Sequence, residues 1–350
     1  MELDNHKAFI NESLSKVVEP ILTNAELEIK LLIRNYLINK WDKQEMALNI
    51  DRLIARAVNK LPADTPNKEE LFLGLKKSSV IWYNQLRTKM MPILMRIGFY
   101  IGETKVNGKT IEIAMDKINP ETKKLKGYDQ FGGSEKLVEE LLRLNYILKE
   151  MASYGLQTDY VPGQTPISLF AKLEMANRYN NNMGQLRDKL ESNELVVRFS
   201  QHRDCSKRCE PYQGKAVHLT APAINDRFET GLRLSNGEPI LSYQGITSQV
   251  DKYGWRNNIH TGFNCRHWLK PVSDTKPDPY SADTIKKARK ANHDLRNMER
   301  AIRNLKKQYH LFIGKNERRI ARLKIDEAIE KYYKFAETNK VVPYGWRLEV

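Results

Sequence analysis

The fold of this chain is decided by a stretch that begins with RFSQHRDCSKRCEPYQGK (residues 198–215) and ends with HTGFNCRHWLKP (residues 260–271). The stretch holds all three cysteines and four of the seven histidines of the 350-residue chain. This concentration of thiols and imidazoles predicts a compact central domain in which these side chains lie together. The preceding residues 195–199, LVVRF, predict a short strand that leads into it.

The cysteines and histidines are spaced as two short pairs. Cys205 and Cys209 form the first pair, Cys265 and His267 form the second, and 55 residues separate the two pairs. Structural zinc is held in tetrahedral sets of thiolate and imidazole ligands, supplied as short-spaced pairs. The pattern therefore indicates a zinc site made by these four residues, with His260 as an alternate ligand and His218 as a further nearby substitute. The spacing is looser than in a zinc ribbon, and buried cysteines that pack as small apolar side chains are the alternative.

Two enzymatic interpretations are less favoured. A catalytic cysteine needs an activated thiolate beside a base, and no feature of the sequence marks one cysteine as activated. A hydrolytic zinc site needs a carboxylate base, for which Asp204 and Glu210 are available, but the HExxH motif is absent. We therefore predict that the protein is not an enzyme, and a Cys/His-dependent enzyme is the weakest alternative.

Helical patterns flank the central stretch on both sides. Residues 1–160 carry apolar side chains at three- and four-residue spacing, which predicts a helical amino-terminal region. Within it, residues 99–118 change to strand-like composition around Asn107-Gly108, a dipeptide typical of type I′ turns, so a β-hairpin is predicted there. The expected domains are residues 1–160, 161–272 and 273–350.

The carboxy-terminal segment predicts two long helices interrupted near Gly314. Apolar residues alternate at three- and four-residue spacing in the first of them, at Leu295, Met298, Ile302, Leu305, Tyr309 and Phe312. The interruption favours a helical hairpin, and a straight coiled coil is the alternative. The predicted fold class is α+β: mainly helical, with a small Cys/His-rich central domain that contains β-strands and a long basic carboxy-terminal helical hairpin or coiled coil.

Positive charge is concentrated near the carboxy terminus. The net charge is +15, and the segment from Lys286 to Lys324 has 14 lysines and arginines against three acidic residues, a net +11. Such a basic stripe is typical of contact with nucleic acid or an acidic protein surface, and a solvated helix face is the alternative. No base-reading module is recognisable, so sequence-independent contact with phosphates is expected. The predicted contact residues are Arg296, Arg300, Arg303, Lys306, Lys307, Arg318, Arg319 and Arg322.

The sequence gives no indication of a membrane. No run reaches the roughly 18 apolar residues that a spanning helix needs. The start, MELDNHK, has neither the basic nor the apolar region of a secretion signal. We expect synthesis in a cytoplasm, where the thiols stay reduced.

Several motifs occur in the order found in one group of phage proteins. The three main ones are SQHRDCSKRCEPYQGK (200–215), GFNCRHW (262–268) and MERAIRNLK (298–306). LEMANRYNNNMG (173–184) precedes them, and KYYKF (331–335) and WRLEV (346–350) follow. With these motifs, residues 165–350 resemble the phage minor capsid protein 2 family, which is related to the Mu-type head morphogenesis proteins. Many members have a histidine four residues before the glutamine of the first motif, where this chain has Cys209.

The resemblance implies a structural protein of a tailed-phage head, near the portal vertex, that contributes to head assembly or to DNA packaging and delivery. The implied partners are the portal protein, the major capsid protein and the genomic DNA, with no membrane. The implied location is the virion, and the host cytoplasm during assembly. A sequence-independent DNA-binding protein that acts outside the particle is the second interpretation.

Overall fold

A computed structural model describes residues 13–39, 43–63, 65, 68–104, 106–119, 122, 134–154, 169–249, 259–262, 265–272 and 280–350. The chain divides into two compact units. The first unit consists of Met1–Ser15 and Ala171–Asp294, and the second consists of Lys16–Phe170 and Leu295–Val350. None of the helices in the described ranges has the length and apolar character needed to cross a membrane.

The second unit contains helices from both ends of the chain. Its amino-terminal helices are α1 (Ser13–Asn39, in this unit from residue 16), α2 (Lys43–Asn59), α3 (Lys68–Ile101), α4 (Gly108–Asp116) and α5 (Ser134–Ser153). Helix α3 buries Leu71, Leu75, Trp82 and Leu86 along one face, since residues three or four apart lie on the same side of a helix. Helix α3 packs against α2 and α5, and Leu144 of α5 is fully buried.

The β-hairpin predicted over residues 99–118 is wrong, because this segment is helical at both ends. Asn107 has a φ of −114°, whereas a type I′ turn needs a positive φ at that position. Its Oδ1 atom accepts a hydrogen bond from the backbone N–H of Thr110 at 3.0 Å, so Asn107 is the N-cap of α4. Ile111 and Met115, one turn apart, are then buried on the same face of α4.

The first unit is built on a small mixed sheet. Its elements are α6 (Leu169–Glu191, in this unit from residue 171), β1 (Val196–Phe199), β2 (Ala216–His218), β3 (Glu229–Arg233), β4 (Pro239–Ser242), α7 (Tyr243–Thr247) and β5 (Leu269–Pro271). The strand order is β3-β4-β2-β1-β5; β2 and β4 are parallel, and the other neighbours are antiparallel. Strand β1 confirms the prediction made from residues 195–199, and its Val197 and Phe199 enter the core.

The carboxy-terminal segment forms a helical hairpin, one of the two predicted alternatives. Helix α8 (Ala282–Leu311) ends before Gly314, and Gly314 is the N-cap of α9 (Lys315–Asn339). A short 3-10 helix follows at Gly345–Leu348. The hydroxyl of Tyr332 on α9 donates a hydrogen bond to Glu299 on α8 at 3.0 Å, so the two helices are antiparallel. The predicted α+β, mainly helical fold class is confirmed.

Within the second unit, the two ends of the chain pack together. Arg303 of α8 pairs with Glu19 of α1, and the guanidinium of Arg34 on α1 donates to the backbone carbonyl of Leu311 at 2.7 Å. The arginine therefore satisfies a carbonyl that the end of α8 leaves without an intrahelical partner. These contacts join segments that are far apart in sequence, and the sequence boundaries near residues 160 and 272 stay a prediction.

Candidate functional site

The sheet brings the two Cys/His pairs together. Strands β1 and β5 are antiparallel neighbours, with Phe199 opposite Leu269. The segment that leaves β1 therefore begins where the segment that enters β5 ends. The pairing continues one step further, because the N–H of Ser200 donates to the carbonyl of Trp268 at 2.9 Å. The first segment carries Cys205 and Cys209, and the second carries Cys265 and His267.

Donor atoms of three of these residues lie within reach of a single ion, and the fourth residue, Cys205, lies next to them. Ligand atoms of Cys209, Cys265 and His267 lie within 4.8 Å of one another. The Sγ atom of Cys265 is 3.2 Å from Nδ1 of His267, and the Sγ atom of Cys205 is 3.5 Å from Nε2 of the same ring. The structure therefore brings together all four residues that the sequence singled out, and we call Cys205, Cys209, Cys265 and His267 the Cys/His cluster.

The Cys/His cluster is buried. Exposure is between 3% and 6% for each of its four side chains. The three cysteines belong to the same apolar core as Val197 and Phe199 of the sheet. All three cysteines are free thiols. Polar donors in such surroundings need partners, because an unpaired polar group in an apolar interior costs free energy.

His260 contributes to the site through its backbone rather than its ring. Its N–H donates to Sγ of Cys265 at 2.9 Å. Its ring is bonded elsewhere, with Nδ1 at 2.7 Å from the hydroxyl of Tyr243 and Nε2 at 3.3 Å from Oε1 of Gln185. The residue has a φ of 70°, a left-handed conformation that is uncommon outside glycine. The structure thus favours His267 over His260 as the imidazole ligand.

Helix α6 fixes the backbone around Cys265. The side-chain amide of Asn182 donates to the carbonyl of His260 at 3.0 Å and to the carbonyl of Cys265 at 3.1 Å. Gln185, one turn further on, accepts the N–H of Leu269 at 3.1 Å. The sequence analysis did not single out Asn182 or Gln185 as part of the site. The sequence signal that could have indicated this role is a pair of side-chain amides, Asn182 and Gln185, three residues apart on one face of a helix.

The three thiols of the Cys/His cluster differ in acidity. Hydrogen bonds from Cys205 and Cys265 lower the pKa of Cys209, which makes it the thiol that ionises first. The hydrogen bond to Cys209 and burial raise the pKa of Cys205. Burial, followed by the hydrogen bond to Cys209, raises the pKa of Cys265. Once ionised, Cys209 accepts hydrogen bonds from the thiols of Cys205 and Cys265. A bound cation would replace the protons on those two sulfurs.

The histidines around the Cys/His cluster are held neutral. Burial lowers the pKa of His260 to about 3, and the neighbouring His267 acts in the same direction. Burial likewise lowers the pKa of His202 to about 3, with His267 and Arg266 as further causes. The His202 ring packs edge-on against His267 with 4.6 Å between the ring centroids. His202 and His260 therefore add no positive charge beside the thiols of the Cys/His cluster.

Charged side chains surround the segment that carries Cys205 and Cys209. Asp204 pairs with Arg266, which lies between Cys265 and His267. Arg289 of α8 pairs with Glu210 at 3.0 Å. Guanidinium groups next to the cysteines favour the negative charge that several thiolates would carry.

Four of the eight basic side chains predicted to contact DNA form partly buried ion pairs within the second unit. These pairs are Arg296–Glu299, Arg303–Glu19, Lys307–Glu26 and Arg318–Glu112. Lys307 is only 9% exposed, and its Nζ atom lies 2.7 Å from the Glu26 carboxylate. Much of the basic stripe on α8 therefore holds the unit together.

The other four basic side chains are more accessible. Arg300, Arg319 and Arg322 are exposed, and Lys306 is half-buried. Arg322 lies 3.4 Å from Asp326 in an exposed pair one helical turn apart, which is a weak interaction. Burial lowers the pKa of Lys306, the carboxylate of Glu349 acts in the opposite direction, and Arg322 acts in the same direction as burial.

Comparison with known protein families finds a match that covers slightly less than half of the chain. Residues 179–335 match the model of the family described as Phage minor capsid protein 2. No curated protein matches the chain, and no solved structure matches it. The matched range includes the whole sheet, the Cys/His cluster, α8 and most of α9. The resemblance predicted from the motifs is confirmed, and the match supports a structural protein of a phage particle.

Proposed function

Because residues 179–335 match the model of the phage minor capsid protein 2 family, we propose that the protein is a minor structural component of a tailed-phage head, located near the portal vertex. The family match is the observation that carries the proposal. The proposed partners are the portal protein and the major capsid protein, with assembly in the host cytoplasm. The proposed role is in head assembly or in DNA packaging and delivery.

The position in the particle is tested by comparing two kinds of head. Heads assembled with and without the portal protein are purified, and this chain is quantified in both by mass spectrometry. We expect it in low copy number in the portal-containing heads and expect it to be absent from portal-less shells. Localised density next to the portal in electron microscopy of intact heads is expected as well. Equal amounts in both kinds of head would contradict the portal location, and absence from both would contradict the head assignment.

The second element of the proposal is contact with the packaged DNA by the exposed basic residues. Arg300, Arg319 and Arg322 are the predicted contact residues that remain exposed, and half-buried Lys306 lies near Arg322. The proposal for these residues is supported by their accessible positive charge, which is not held in a buried ion pair. Contacts of this kind bind phosphates without reading sequence and weaken steeply with salt.

Charge reversal tests the DNA contact. Arg319→Glu/Arg322→Glu is compared with Arg52→Glu/Arg87→Glu, which makes the same change of net charge at exposed positions of α2 and α3. Duplex DNA binding is measured against salt concentration. We expect the first variant to reduce the salt slope by about 0.9 for each lost phosphate contact and the control to retain the wild-type slope. Equal slopes for both variants would show that the effect is general electrostatics rather than a contact site.

The third element is a zinc ion in the Cys/His cluster. Tetrahedral zinc with sulfur ligands at about 2.3 Å places the sulfurs about 3.8 Å apart, so the donor atoms of Cys209, Cys265 and His267, which lie within 4.8 Å of one another, need to move little. Cys205 lies against the opposite ring nitrogen of His267 and would complete the set by turning toward the same ion. Three thiols and one imidazole are a ligand set typical of structural zinc. The cluster also has outer partners that orient its ligands, such as the His260 N–H on Cys265.

The proposed zinc site has a structural rather than a catalytic role. All four coordination positions would be taken by protein atoms, which leaves none for water or substrate. The Ser200 hydroxyl near His202, at 2.9 Å, does not offer an alternative nucleophile, because Ser200 is 1% exposed and already accepts the N–H of Trp268. The proposal therefore assigns no reaction to the cluster.

Metal content tests the zinc site. Full-length protein purified under reducing conditions is expected to contain about one zinc per chain by elemental analysis. His267→Asn and Cys209→Ser are expected to lose it, whereas His293→Asn, at an exposed position of α8, is expected to retain it. Cobalt(II) added to metal-free wild type is expected to give the intense absorption of cobalt–thiolate bonds. A wild-type protein that takes up neither metal would contradict the proposal.

A further inference from the structure

One face of the amino-terminal part of α8 contacts the segment that carries Cys205 and Cys209. Ile285, Arg289 and Asn292 lie at positions i, i+4 and i+7 and so share a face of the helix. Ile285 is buried in the same apolar core as Cys205 and Cys209. All of these residues belong to the first unit.

The polar contacts that this face makes outside its own helix end next to the two cysteines. The Nε atom of Arg289 donates to the carbonyl of Cys205 at 2.8 Å, and its Nη2 atom donates to Glu210 at 3.0 Å. The amide of Asn292 donates to Asp204 at 3.0 Å. The helix is therefore attached to the residue before Cys205, to Cys205 itself and to the residue after Cys209.

The segment that receives these contacts has little regular structure of its own. Residues 200–215 form only turns, such as the bond from the N–H of Cys209 to the carbonyl of Ser206 at 3.1 Å. The side chains of Cys205 and Cys209 are its buried anchors. A metal ion bound by both thiolates would fix the backbone on which the carbonyl of Cys205 and the carboxylate of Glu210 are placed.

We propose that metal binding by the Cys/His cluster docks residues 282–294 of α8 onto the cysteine segment, with Arg289 as the positioning residue that couples the two. The inference rests on the proposed zinc site. With the metal bound, the acceptors for Arg289 and Asn292 are held at fixed positions and the helix face is attached at three points. Without it, the turns of residues 200–215 are released and these acceptors lose their alignment.

Amide hydrogen exchange of the full-length chain tests the coupling. Zinc-loaded protein is compared with protein treated with a chelator under reducing conditions, and peptides within residues 286–293 are followed. We expect their exchange to become about tenfold faster or more on metal removal. Helix α5 of the second unit provides the reference, and its exchange is expected to be unchanged.

Two variants separate docking from general loss of structure. Zinc-loaded Arg289→Gln is expected to retain its metal but to exchange faster at residues 286–293, with little further change on chelation. Zinc-loaded Lys290→Gln, an exposed neighbour, is expected to behave as wild type. If chelation also accelerates exchange in α6, the first unit as a whole has loosened. In that case the exchange rates of zinc-loaded Arg289→Gln and zinc-loaded Lys290→Gln decide whether Arg289 docks the helix.

The outcomes distinguish this inference from the zinc site on which it rests. Wild-type protein that binds no metal refutes the zinc site. Wild-type protein that binds zinc but shows unchanged exchange at residues 286–293 when the metal is removed refutes only the docking. The docking is likewise refuted if zinc-loaded Arg289→Gln exchanges at the wild-type rate.

Discussion

Glu26 of α1 and Lys307 of α8 form a buried ion pair, with 2.7 Å between Oε1 and Nζ. The same carboxylate oxygen accepts from Lys30 at 2.5 Å. A single acidic side chain thus neutralises two lysines inside the second unit. Proximity to Lys30 and Lys307 holds the pKa of Glu26 below its usual value, although burial acts in the opposite direction. The basic stripe of α8 is in this way attached to α1.

Glu26 is expected to be essential for the stability of the second unit. Glu26→Gln leaves two buried lysines without an acidic partner, and breaking a buried pair in this way costs about 3 kcal/mol or more. The measurement is urea unfolding of the full-length variant against wild type. Glu28→Gln is the control, because Glu28 pairs with Arg56 at the exposed surface and is expected to change stability by less than about 1 kcal/mol. Similar losses for the two variants would contradict a special role for Glu26.

Lys30 is expected to make stability depend on alkaline pH. Burial lowers its pKa to about 8, against 10.5 for an ordinary lysine. Between these two values the unfolded chain binds more protons than the folded chain, so the contribution of Lys30 to stability rises with pH across this window. The measurement is the unfolding free energy of wild type minus that of Lys30→Met. We expect this difference to increase by at most about 1.4 kcal/mol per pH unit between pH 8 and 10.5. A flat difference would show that Lys30 keeps an ordinary pKa.

Arg198 is expected to hold the sheet of the first unit through a bidentate pair with Glu238. Its Nη1 and Nη2 atoms lie 2.9 and 2.8 Å from the two carboxylate oxygens, and Nη1 also donates to the carbonyl of Gly214 at 2.7 Å. Arg198→Met leaves a buried carboxylate and is expected to cost about 3–5 kcal/mol, and Arg198→Met/Glu238→Met is expected to recover much of it. The measurement is urea unfolding. The exposed control Arg233→Met is expected to have nearly the wild-type free energy of unfolding. If Arg198→Met/Glu238→Met is as unstable as Arg198→Met, the buried ion pair does not explain the loss.

Asn107 is expected to stabilise α4 as its N-cap. Asn107→Ala removes the acceptor for the N–H of Thr110 and is expected to lower the free energy of unfolding by about 1 kcal/mol. Asn107→Asp retains an acceptor and is expected to have nearly the stability of wild type. Thermal unfolding of the variants provides the measurement. Asn84→Ala, at an exposed position inside α3, is the control and is not expected to destabilise. If Asn107→Asp loses as much as Asn107→Ala, the capping bond is not what stabilises the helix.

Asn107 shows why one local prediction failed. Asn-Gly favours a type I′ turn, and asparagine is equally one of the preferred N-cap residues. Which of the two forms depends on whether the following apolar residues are buried with helical or strand spacing. In this chain Ile111 and Met115 are both fully buried one helical turn apart, so the helix forms.

The sequence by itself determined the Cys/His cluster, the strand β1 and the helical hairpin around Gly314. Each follows from a short local pattern. The cluster follows from the paired spacing of its ligands, β1 from the adjacent valines at 196 and 197, and the hairpin from apolar residues at helical spacing that are interrupted at Gly314. Only the tertiary structure decided which cations remain exposed, because Arg303 and Lys307 find their acidic partners on α1, almost three hundred residues away in the chain. It also decided that the backbone of His260 supports Cys265. Contacts of that kind depend on which helices and strands pack side by side, and no spacing within a single segment encodes that arrangement.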